Sequence, residues 1–146
     1  PDAAATIALT AGDLWPGEGW NYVFGQASMQ SRVGVWSIAR NGTPSAGPEA
    51  FRRCLLRTLN VATHETAHMF SLPHCVLFRC NMNGTNHLEE SDRTPPWLCP
   101  HCLAKVSWAT GVDPRAQLVA LADFYRDQGF PREEAFCRRT AAALAG

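Results

Sequence analysis

Three histidines and one glutamate are spaced so that they could hold and use a metal ion. The segment that begins at His64 reads His-Glu-Thr-Ala-His, and His74 follows six residues after His68. On a helix, residues four apart lie on one face, so His64 and His68 can bind one zinc ion through their imidazole nitrogens. A sharp turn after His68 would bring His74 to the same ion. Three imidazoles leave one zinc position open, which is typical of a catalytic rather than a structural site.

Glu65 follows the first histidine directly, where its carboxylate can reach a zinc-bound water without binding the metal. Zinc lowers the pKa of its water towards ~7 and polarises a carbonyl oxygen. A carboxylate at this place can take the proton of that water and pass it to a leaving amine. The pattern therefore predicts peptide-bond hydrolysis by a zinc-bound water, with Glu65 as general base.

Four of the six cysteines have the spacing of a second metal site. Cys75 follows His74 directly and precedes Cys80 by five positions, and Cys99 and Cys102 form a Cys-x-x-Cys pair. Four thiolates complete a tetrahedral zinc shell with no open position, so this ion would be structural and close to the first. We therefore expect two zinc ions per chain, one catalytic and one structural. Two local disulfides are the alternative, and both spacings would strain them.

The complete array, H-E-x-x-H-x5-H-C-x4-C-x-M followed by C-x-x-C, resembles the archaemetzincins, a family of zinc metallopeptidases. The resemblance spans about Asn21 to Lys105 and includes residues 35–40. Members of that family usually carry a further N-terminal strand and helix, which we expect this chain to lack by truncation or natural loss. They also usually have glycine where this chain has Ser71, so we expect Ser71 to end the helix in a left-handed conformation.

The resemblance implies roles for two further groups of residues. Met82 resembles the methionine of the metzincin turn beneath the zinc, where it would support the histidine plane; ordinary core packing would give it nearly the same contacts. Phe24, Gly25, Gln26 and Ala27 resemble the edge strand that binds substrate backbone by β-augmentation. An ordinary edge strand with a bulge at Gly25 is the alternative.

The surrounding segments predict an α/β fold with a mixed twisted sheet, and the resemblance implies a compact metzincin-like domain. Residues 6–10 read as a short buried strand, and residues 21–24 and 32–38 read as two more. A long zinc-binding helix should begin near Pro48 and direct Phe51, Leu55, Leu59 and Ala62 towards the core. C-terminal helices should follow at 99–108, after Asp113, and after Pro131.

Residues 81–96 lack periodicity and read as a long loop with cysteines near both ends. Within it, His87 is a candidate for the substrate pocket. His101, inside the Cys-x-x-Cys pair, should face solvent. Cys54 and Cys137 stand outside the metal spacing, and Cys54 should be a small buried thiol.

The composition bounds the class of protein. The chain has 146 residues, 46% hydrophobic and 18% charged, with a formal net charge of zero. This composition indicates one globular domain over residues 1–146. Zero net charge argues against a nucleic-acid partner, which would require a basic face. No apolar run approaches ~18 residues, so we expect no membrane span, and we expect a monomer.

The cysteines and the N-terminal segment bear on the compartment. Residues 3–9 are too short an apolar run and lack a basic flank, so they do not read as a signal peptide. Thiolate zinc ligands need a reducing compartment, so we expect a cytoplasmic protein. A secreted domain with three disulfides is the alternative.

Two functions from different classes follow. The first is an active zinc endo- or aminopeptidase that acts on a peptide or protein substrate, and the complete histidine set with an intact Glu65 favours it. The second is a catalytically silent, zinc-stabilised binding domain on the same scaffold. A four-cysteine zinc ribbon that binds nucleic acid fails on net charge and on the absence of a basic aromatic face.

Overall fold

The computed structural model describes residues 3–19 and 21–145. Within these ranges the strands are β1 (Thr6–Thr10), β2 (Gly25–Ser28) and β3 (Val33–Ser37). The α-helices are α1 (Pro48–Met69), α2 (Leu88–Arg93), α3 (Pro100–Thr110), α4 (Pro114–Asp127) and α5 (Pro131–Ala143). A short 3-10 turn at Pro44–Ala46 precedes α1. No helix in the described ranges is long and apolar enough to span a membrane.

The three strands form a mixed sheet, as predicted, with β3 in the centre. β3 pairs parallel with β1 and antiparallel with β2, so β2 is the edge strand on one side. The strand expected at 21–24 is displaced to Gly25–Ser28, and Val23 makes only an isolated bridge to Leu14. The displacement follows from the hydrogen bonds to β3, which begin at Phe24. Ser37 N donates to Phe24 O at 2.8 Å, and the residues after Phe24 pair with β3.

β1 is a strand as predicted, but the expectation that it is buried is wrong. Ile7 is 46% exposed and Leu9 is 60% exposed. β1 occupies the opposite edge of the sheet, whereas α1 packs against β2 and β3. Its apolar side chains therefore lie outside the region that α1 covers.

Helix α1 begins where the sequence predicts, with Pro48 at its first position and Glu49 in its first turn. It packs closely under the sheet, since a β-carbon on Gly34 would lie 2.5 Å from Met69 Cε. The inward orientation predicted for Phe51 is wrong, because this side chain is 50% exposed. Phe51 lies in the first turns of α1, next to the 3-10 turn at 44–46. That 3-10 turn has no buried residue, so no core forms around Phe51 there.

The C-terminal helices α4 and α5 pack against each other and share a core with α3. The buried residues of this core are Leu103, Leu118, Ala122, Tyr125, Phe130, Cys137 and Ala141. Leu55 of α1 packs against the same cluster, as expected. Asp113 caps α4 as predicted, since its carboxylate accepts a hydrogen bond from Ala116 N at 2.6 Å.

Helix α2 interrupts the segment that the sequence predicts to be one long loop. His87 is its N-cap, and Glu90 N donates to His87 Nδ1 at 3.4 Å. The Glu90 carboxylate accepts a hydrogen bond from Asn86 N at 2.7 Å. Reciprocal bonds of this kind start a helix even when it is too short to show periodicity. The signal in the sequence was Glu90, three residues after a polar N-cap.

Candidate active site and metal centres

The last turns of α1 and the segment after it bring three imidazoles together. His64 and His68 lie one turn apart with ring centroids 4.7 Å apart, and His74 lies 5.2 Å and 5.0 Å from them. One nitrogen from each ring lies within 4.8 Å of the others. The geometry therefore places all three predicted histidines where one ion could contact them.

Ser71 makes the turn that returns His74 to the pair. Its φ of 65° is left-handed, as expected from its place in the pattern. Ser71 N donates to His68 O at 2.8 Å, and Leu72 N donates to Ala67 O at 3.1 Å. These two bonds define a Schellman motif, which satisfies carbonyls that a helix end otherwise leaves unpaired. Leu72 and Ala67 are both buried beneath the turn.

Backbone carbonyls set the orientation of two of the rings. His64 Nδ1 lies 2.8 Å from Asn81 O, and His68 Nδ1 lies 2.6 Å from Leu72 O. Because a carbonyl can only accept, each Nδ1 carries the proton and each Nε2 keeps a lone pair. Histidines that bind metal usually have such a partner on the other ring nitrogen.

The two Nε2 atoms of His64 and His68 face each other at 3.0 Å. Two lone pairs at this distance repel, and a cation bound to both would remove the repulsion. Burial lowers the pKa of His64 to about 4, although the bond to Asn81 opposes this shift. Burial also lowers the pKa of His74, with a further contribution from His68. Neutral imidazole is the form that binds metal, so the donor set fits zinc.

The four cysteines with metal-like spacing also converge. Their sulfur atoms lie within 4.8 Å of one another, and Cys75 Sγ is 3.8 Å from Cys99 Sγ. All six cysteines of the chain lie in the described ranges, and all are free thiols. Burial raises the pKa of Cys80 and of Cys102. A tetrahedral zinc would stabilise the thiolate forms of Cys80 and Cys102. Although burial opposes the shift, backbone hydrogen bonds at Leu77 and Phe78 lower the pKa of Cys75 to about 7.

One asparagine organises the loop that carries the first two cysteines. Asn83 Nδ2 donates to Cys75 O at 2.7 Å and to Phe78 O at 2.9 Å, while Asn83 Oδ1 accepts from Cys80 N at 2.9 Å. Cys75 N donates to Met82 O at 2.7 Å. Met82 is fully buried in the cluster that contains Cys80, as the supporting role predicted for it requires.

The side chain of Glu65 extends from α1 towards the edge strand β2. Burial raises the pKa of its carboxyl, and His68 partly opposes this shift. Gly25 lies directly against it, because a β-carbon there would come within 2.9 Å of Glu65 Cγ. Phe24 and Gly25 line the cavity beside the histidines, whereas Gln26 and Ala27 continue along β2 beyond it.

This cavity has a volume of about 180 Å³ and adjoins His64, Glu65 and His74. Its other lining residues are Val23, Phe24, Gly25, Asn60, Val61, Asn81, Asn83, Thr85, Ser91 and Thr94. It therefore joins the edge strand, the metal-binding helix and the segment that contains α2. His87 does not line it, contrary to the role considered for that residue, because its ring caps α2. His101 is exposed as expected, with its ring 5.6 Å from that of Phe78.

Sequence reasoning missed a buried amide pair behind His64. Asn60 is 8% exposed and Asn81 is 2% exposed. Asn81 Nδ2 donates to Asn60 Oδ1 at 2.8 Å and to Asn60 O at 3.1 Å. The pair thus fixes the segment whose carbonyl orients His64. The available signal was Asn60 in mid-helix, one turn before His64, where asparagine is unfavourable without a specific partner.

A second missed contact attaches α2 to α1. Arg57 donates two hydrogen bonds to the Asp92 carboxylate, at 2.7 Å and 2.6 Å. Arg57 also donates to Asn41 O at 3.1 Å. This bidentate pair holds the wall of the cavity that Ser91 and Thr94 form.

Comparison with known proteins was made on sequence and on structure. A sequence model of Peptidase family M54 matches residues 3–108. The chain is 38% identical to archaemetzincin-2 of Macaca fascicularis, over 87% of this chain and 42% of that protein. It is 37% identical to the archaemetzincin of Thermococcus kodakarensis, over 71% of this chain and 56% of that protein. The chain therefore spans less than half the length of the macaque relative.

Solved structures of similar proteins give a consistent result. The structure of archaemetzincin from Methanopyrus kandleri matches with a TM-score of 0.65 and 33% identity, over 77% of this chain and 59% of that one. The structure of archaemetzincin from Archaeoglobus fulgidus, complexed with malonate, matches with a TM-score of 0.61 and 31% identity. That match covers 72% of this chain and 62% of the other.

Proposed function

The chain belongs to peptidase family M54, the archaemetzincins, and from this premise we propose that it is a zinc-dependent peptidase that hydrolyses peptide bonds in peptides or proteins. The family resemblance and the α/β fold predicted from the sequence are confirmed by the comparisons. The observation that carries the proposed activity is the convergence of three imidazoles, two of which, His64 and His74, line one cavity together with Glu65.

His64, His68 and His74 would hold the catalytic zinc in this proposal. When bound, zinc supplies Lewis-acid chemistry, which activates water and polarises the scissile carbonyl. The carbonyls of Asn81 and Leu72 keep the His64 and His68 rings in the ligating tautomer. These contacts fix the ligands before substrate arrives.

Glu65 would act as general base and then as general acid. One of its carboxylate oxygens takes a proton as the water oxygen attacks the carbonyl carbon. The same oxygen gives that proton to the amide nitrogen as the carbon–nitrogen bond breaks. The products are a carboxylic acid and an amine, and the acid proton then moves to the amine to give a carboxylate and an ammonium group. Burial raises the pKa of this carboxyl, which makes Glu65 a stronger base than an exposed glutamate.

The edge strand would hold the substrate backbone by β-augmentation. β2 pairs only on its β3 side in the described sheet, so its other edge is free to receive a peptide. Phe24 and Gly25 lie nearest Glu65, and Gln26 and Ala27 extend the same strand. A peptide paired there would pass the histidines.

Cys75, Cys80, Cys99 and Cys102 would hold a second, structural zinc, which makes two zinc ions per chain. Cys75 directly follows His74, so this ion would fix the segment that returns the third histidine to the catalytic site. Four thiolates require a reducing environment, which supports a cytoplasmic location. We propose that the domain works as a monomer.

A peptide-library digest tests the activity. Wild-type protein and Glu65→Gln are incubated with the same library, and the products are identified by mass spectrometry. Wild type should cleave a subset of peptides, and Glu65→Gln should lose at least ~100-fold in rate while it keeps its zinc. If neither protein cleaves any peptide, the catalytically silent binding domain is the better description. Equal rates of hydrolysis in wild type and Glu65→Gln would show that Glu65 is not the general base.

A further inference from the structure

The cavity beside the histidines ends in a wall of uncharged polar side chains. Away from His64, Glu65 and His74, the polar residues that line it are Asn60, Asn81, Asn83, Thr85, Ser91 and Thr94. The remaining lining residues are apolar or glycine, namely Val23, Phe24, Gly25 and Val61. Among the described residues, no lysine or arginine lines this cavity, and Glu65 is the one acidic residue that does.

The amide orientations in this wall follow from their partners. Asn60 Nδ2 faces two carbonyls, Thr94 O at 3.3 Å and Ser91 O at 3.5 Å, so it must be the donor. Asn60 Oδ1 then accepts from Asn81 Nδ2 at 2.8 Å. This arrangement leaves Asn81 Oδ1 buried without a donor among the described residues. The wall thus has one unused buried acceptor, and the two bonds from Asn60 are long.

Cationic side chains lie in a neighbouring cavity rather than in this one. Arg57, one turn before Asn60 on α1, lines that cavity of about 90 Å³ together with Arg53, Arg93 and Arg132. The Arg57 guanidinium is paired with both oxygens of Asp92. None of these four arginines is among the described residues that line the first cavity.

We propose that this wall forms a specificity pocket that selects substrates with an uncharged, hydrogen-bonding side chain (Asn, Gln, Ser or Thr) next to the scissile bond. The proposal rests on the peptidase function proposed above. An acidic side chain would lose its hydration in the pocket and lie near the Glu65 carboxylate, and a lysine could pair only with Glu65, which the proposed reaction needs as a base. An apolar side chain would leave the Ser91 hydroxyl without a hydrogen-bond partner, and unpaired polar groups are the strongest source of discrimination in a polar site.

The test begins from the best peptide found in the library digest. Two sets of peptides replace, in turn, the residue on the amino side and the residue on the carboxyl side of the cleaved bond. Each set carries Asn, Gln, Ser, Thr, Asp, Lys or Leu at that position, and kcat/KM is measured for each peptide. In one set, the four neutral polar residues should exceed Asp, Lys and Leu by about tenfold or more.

Ser91→Ala tests whether the wall causes this preference. It removes one hydroxyl and almost no volume, so the ratio of kcat/KM for the Gln peptide over the Leu peptide should fall by about three- to tenfold. Ser45→Ala, at an exposed position in the 3-10 turn, is the matched control and should leave the ratio unchanged.

The outcomes separate the two proposals. A preference for Leu, Lys or Asp in both sets, or a Gln-to-Leu ratio that Ser91→Ala does not lower, overturns the specificity pocket and leaves the peptidase function in place. Failure of wild type to cleave any peptide overturns the peptidase function and the pocket with it. A neutral polar preference that Ser91→Ala weakens and Ser45→Ala does not would support the pocket.

Discussion

Gly25 of the edge strand lies in direct contact with the side chain of Glu65. A β-carbon added at Gly25 would come within 2.9 Å of Glu65 Cγ and 3.4 Å of Glu65 Cδ. The backbone of Gly25 is not in the left-handed region, so its conformation does not require glycine. Glycine is required here because a side chain would collide with Glu65. The strand that would bind substrate backbone therefore also limits where the carboxylate can lie.

We expect Gly25→Ala to reduce kcat by about 10- to 100-fold, because the new methyl group must displace either the Glu65 carboxylate or the strand. Misplacement of a catalytic group by about 1 Å costs on the order of 100-fold in rate. Zinc content should stay at the wild-type level, because the three atoms nearest to the new methyl group belong to Glu65 and Val35 rather than to a histidine. The measurements are kcat on a library substrate, metal analysis and the melting temperature.

Gly12→Ala is the matched control. A β-carbon at Gly12 would meet only Thr10 Oγ1, at 3.6 Å, which is an ordinary contact. Its kcat should stay within about twofold of wild type. An unchanged kcat in Gly25→Ala as well would show that the contact with Glu65 does not constrain catalysis.

The amide pair Asn60 and Asn81 should control zinc affinity at the histidine site. Asn60→Ala removes the side-chain acceptor that anchors Asn81, whose carbonyl orients His64. Partners of metal-bound histidines typically contribute 10- to 100-fold to metal affinity, and we expect about 10-fold here because the Asn81 carbonyl itself remains. Competition with a chelator measures the affinity directly.

Asn41→Ala provides the comparison for this change. Asn41 is as buried as Asn81, but its amide binds Thr58 Oγ1 far from the histidines. Asn41→Ala should lower the unfolding free energy by about 1 kcal/mol without changing the affinity of the histidine site for zinc. If both variants weaken zinc binding equally, general destabilisation rather than ring orientation explains the effect.

The features that the sequence predicted well depend on local spacing. His64 and His68 are four residues apart, so their alignment follows from helix geometry alone. Ser71 was expected to be left-handed because the archaemetzincins, which this segment resembles, usually have glycine at that position. Asp113 followed by proline is a local start signal of the same kind. Each of these features could be predicted from a short stretch of sequence without knowledge of the rest of the chain.

The features that the sequence did not predict depend on distant packing. The bonds between Asn60 and Asn81 join residues 21 positions apart, and nothing local to either residue indicates the other. The burial of Ile7 and Leu9 depends on what covers their edge of the sheet, which strand periodicity cannot show. Helix α2 is held partly by the ion pair from Asp92 to Arg57, which lies 35 residues earlier.

Ser71→Gly should be neutral or should raise the unfolding free energy by up to about 1 kcal/mol. A non-glycine residue loses about 1 kcal/mol or more in the left-handed conformation, and glycine does not. The greater freedom of glycine in the unfolded chain offsets part of this gain. Chemical denaturation of the zinc-loaded proteins measures the difference.

Ser45→Gly is the corresponding control, because Ser45 is exposed and is not among the residues with positive φ. There glycine adds only unfolded-state freedom, and we expect a loss of about 0.5–1 kcal/mol. A clear loss of stability in Ser71→Gly, comparable to that of Ser45→Gly, would contradict the strain assigned to Ser71.

The two proposed zinc ions should leave under different conditions. The histidine site opens on the cavity and has neutral ligands, and His74 is exposed, so a chelator can reach it. The cysteine site would offer no open coordination position, and the binding energy of an ion there would contribute to folding. Cys80, Cys99 and Cys102 are buried, and Cys75 is half-buried. Mild chelation should therefore remove one zinc per chain and abolish hydrolysis while the near-ultraviolet circular dichroism persists. Readdition of zinc should restore hydrolysis.

Substitutions in the two ligand sets should also have different effects on folding. His68→Ala should stay soluble, lose hydrolysis and keep close to one zinc per chain. Cys99→Ser should give insoluble or molten protein, because Cys99 is the N-cap of α3 and its backbone nitrogen donates to Cys80 Sγ at 3.2 Å. Its thiolate is also one of four that must hold the loop and the helix together. If Cys99→Ser folds like wild type with one zinc lost, the cysteine site has no structural role. Metal analysis of the intact protein that finds one zinc and two disulfides would refute both the second zinc and the reducing compartment inferred from it.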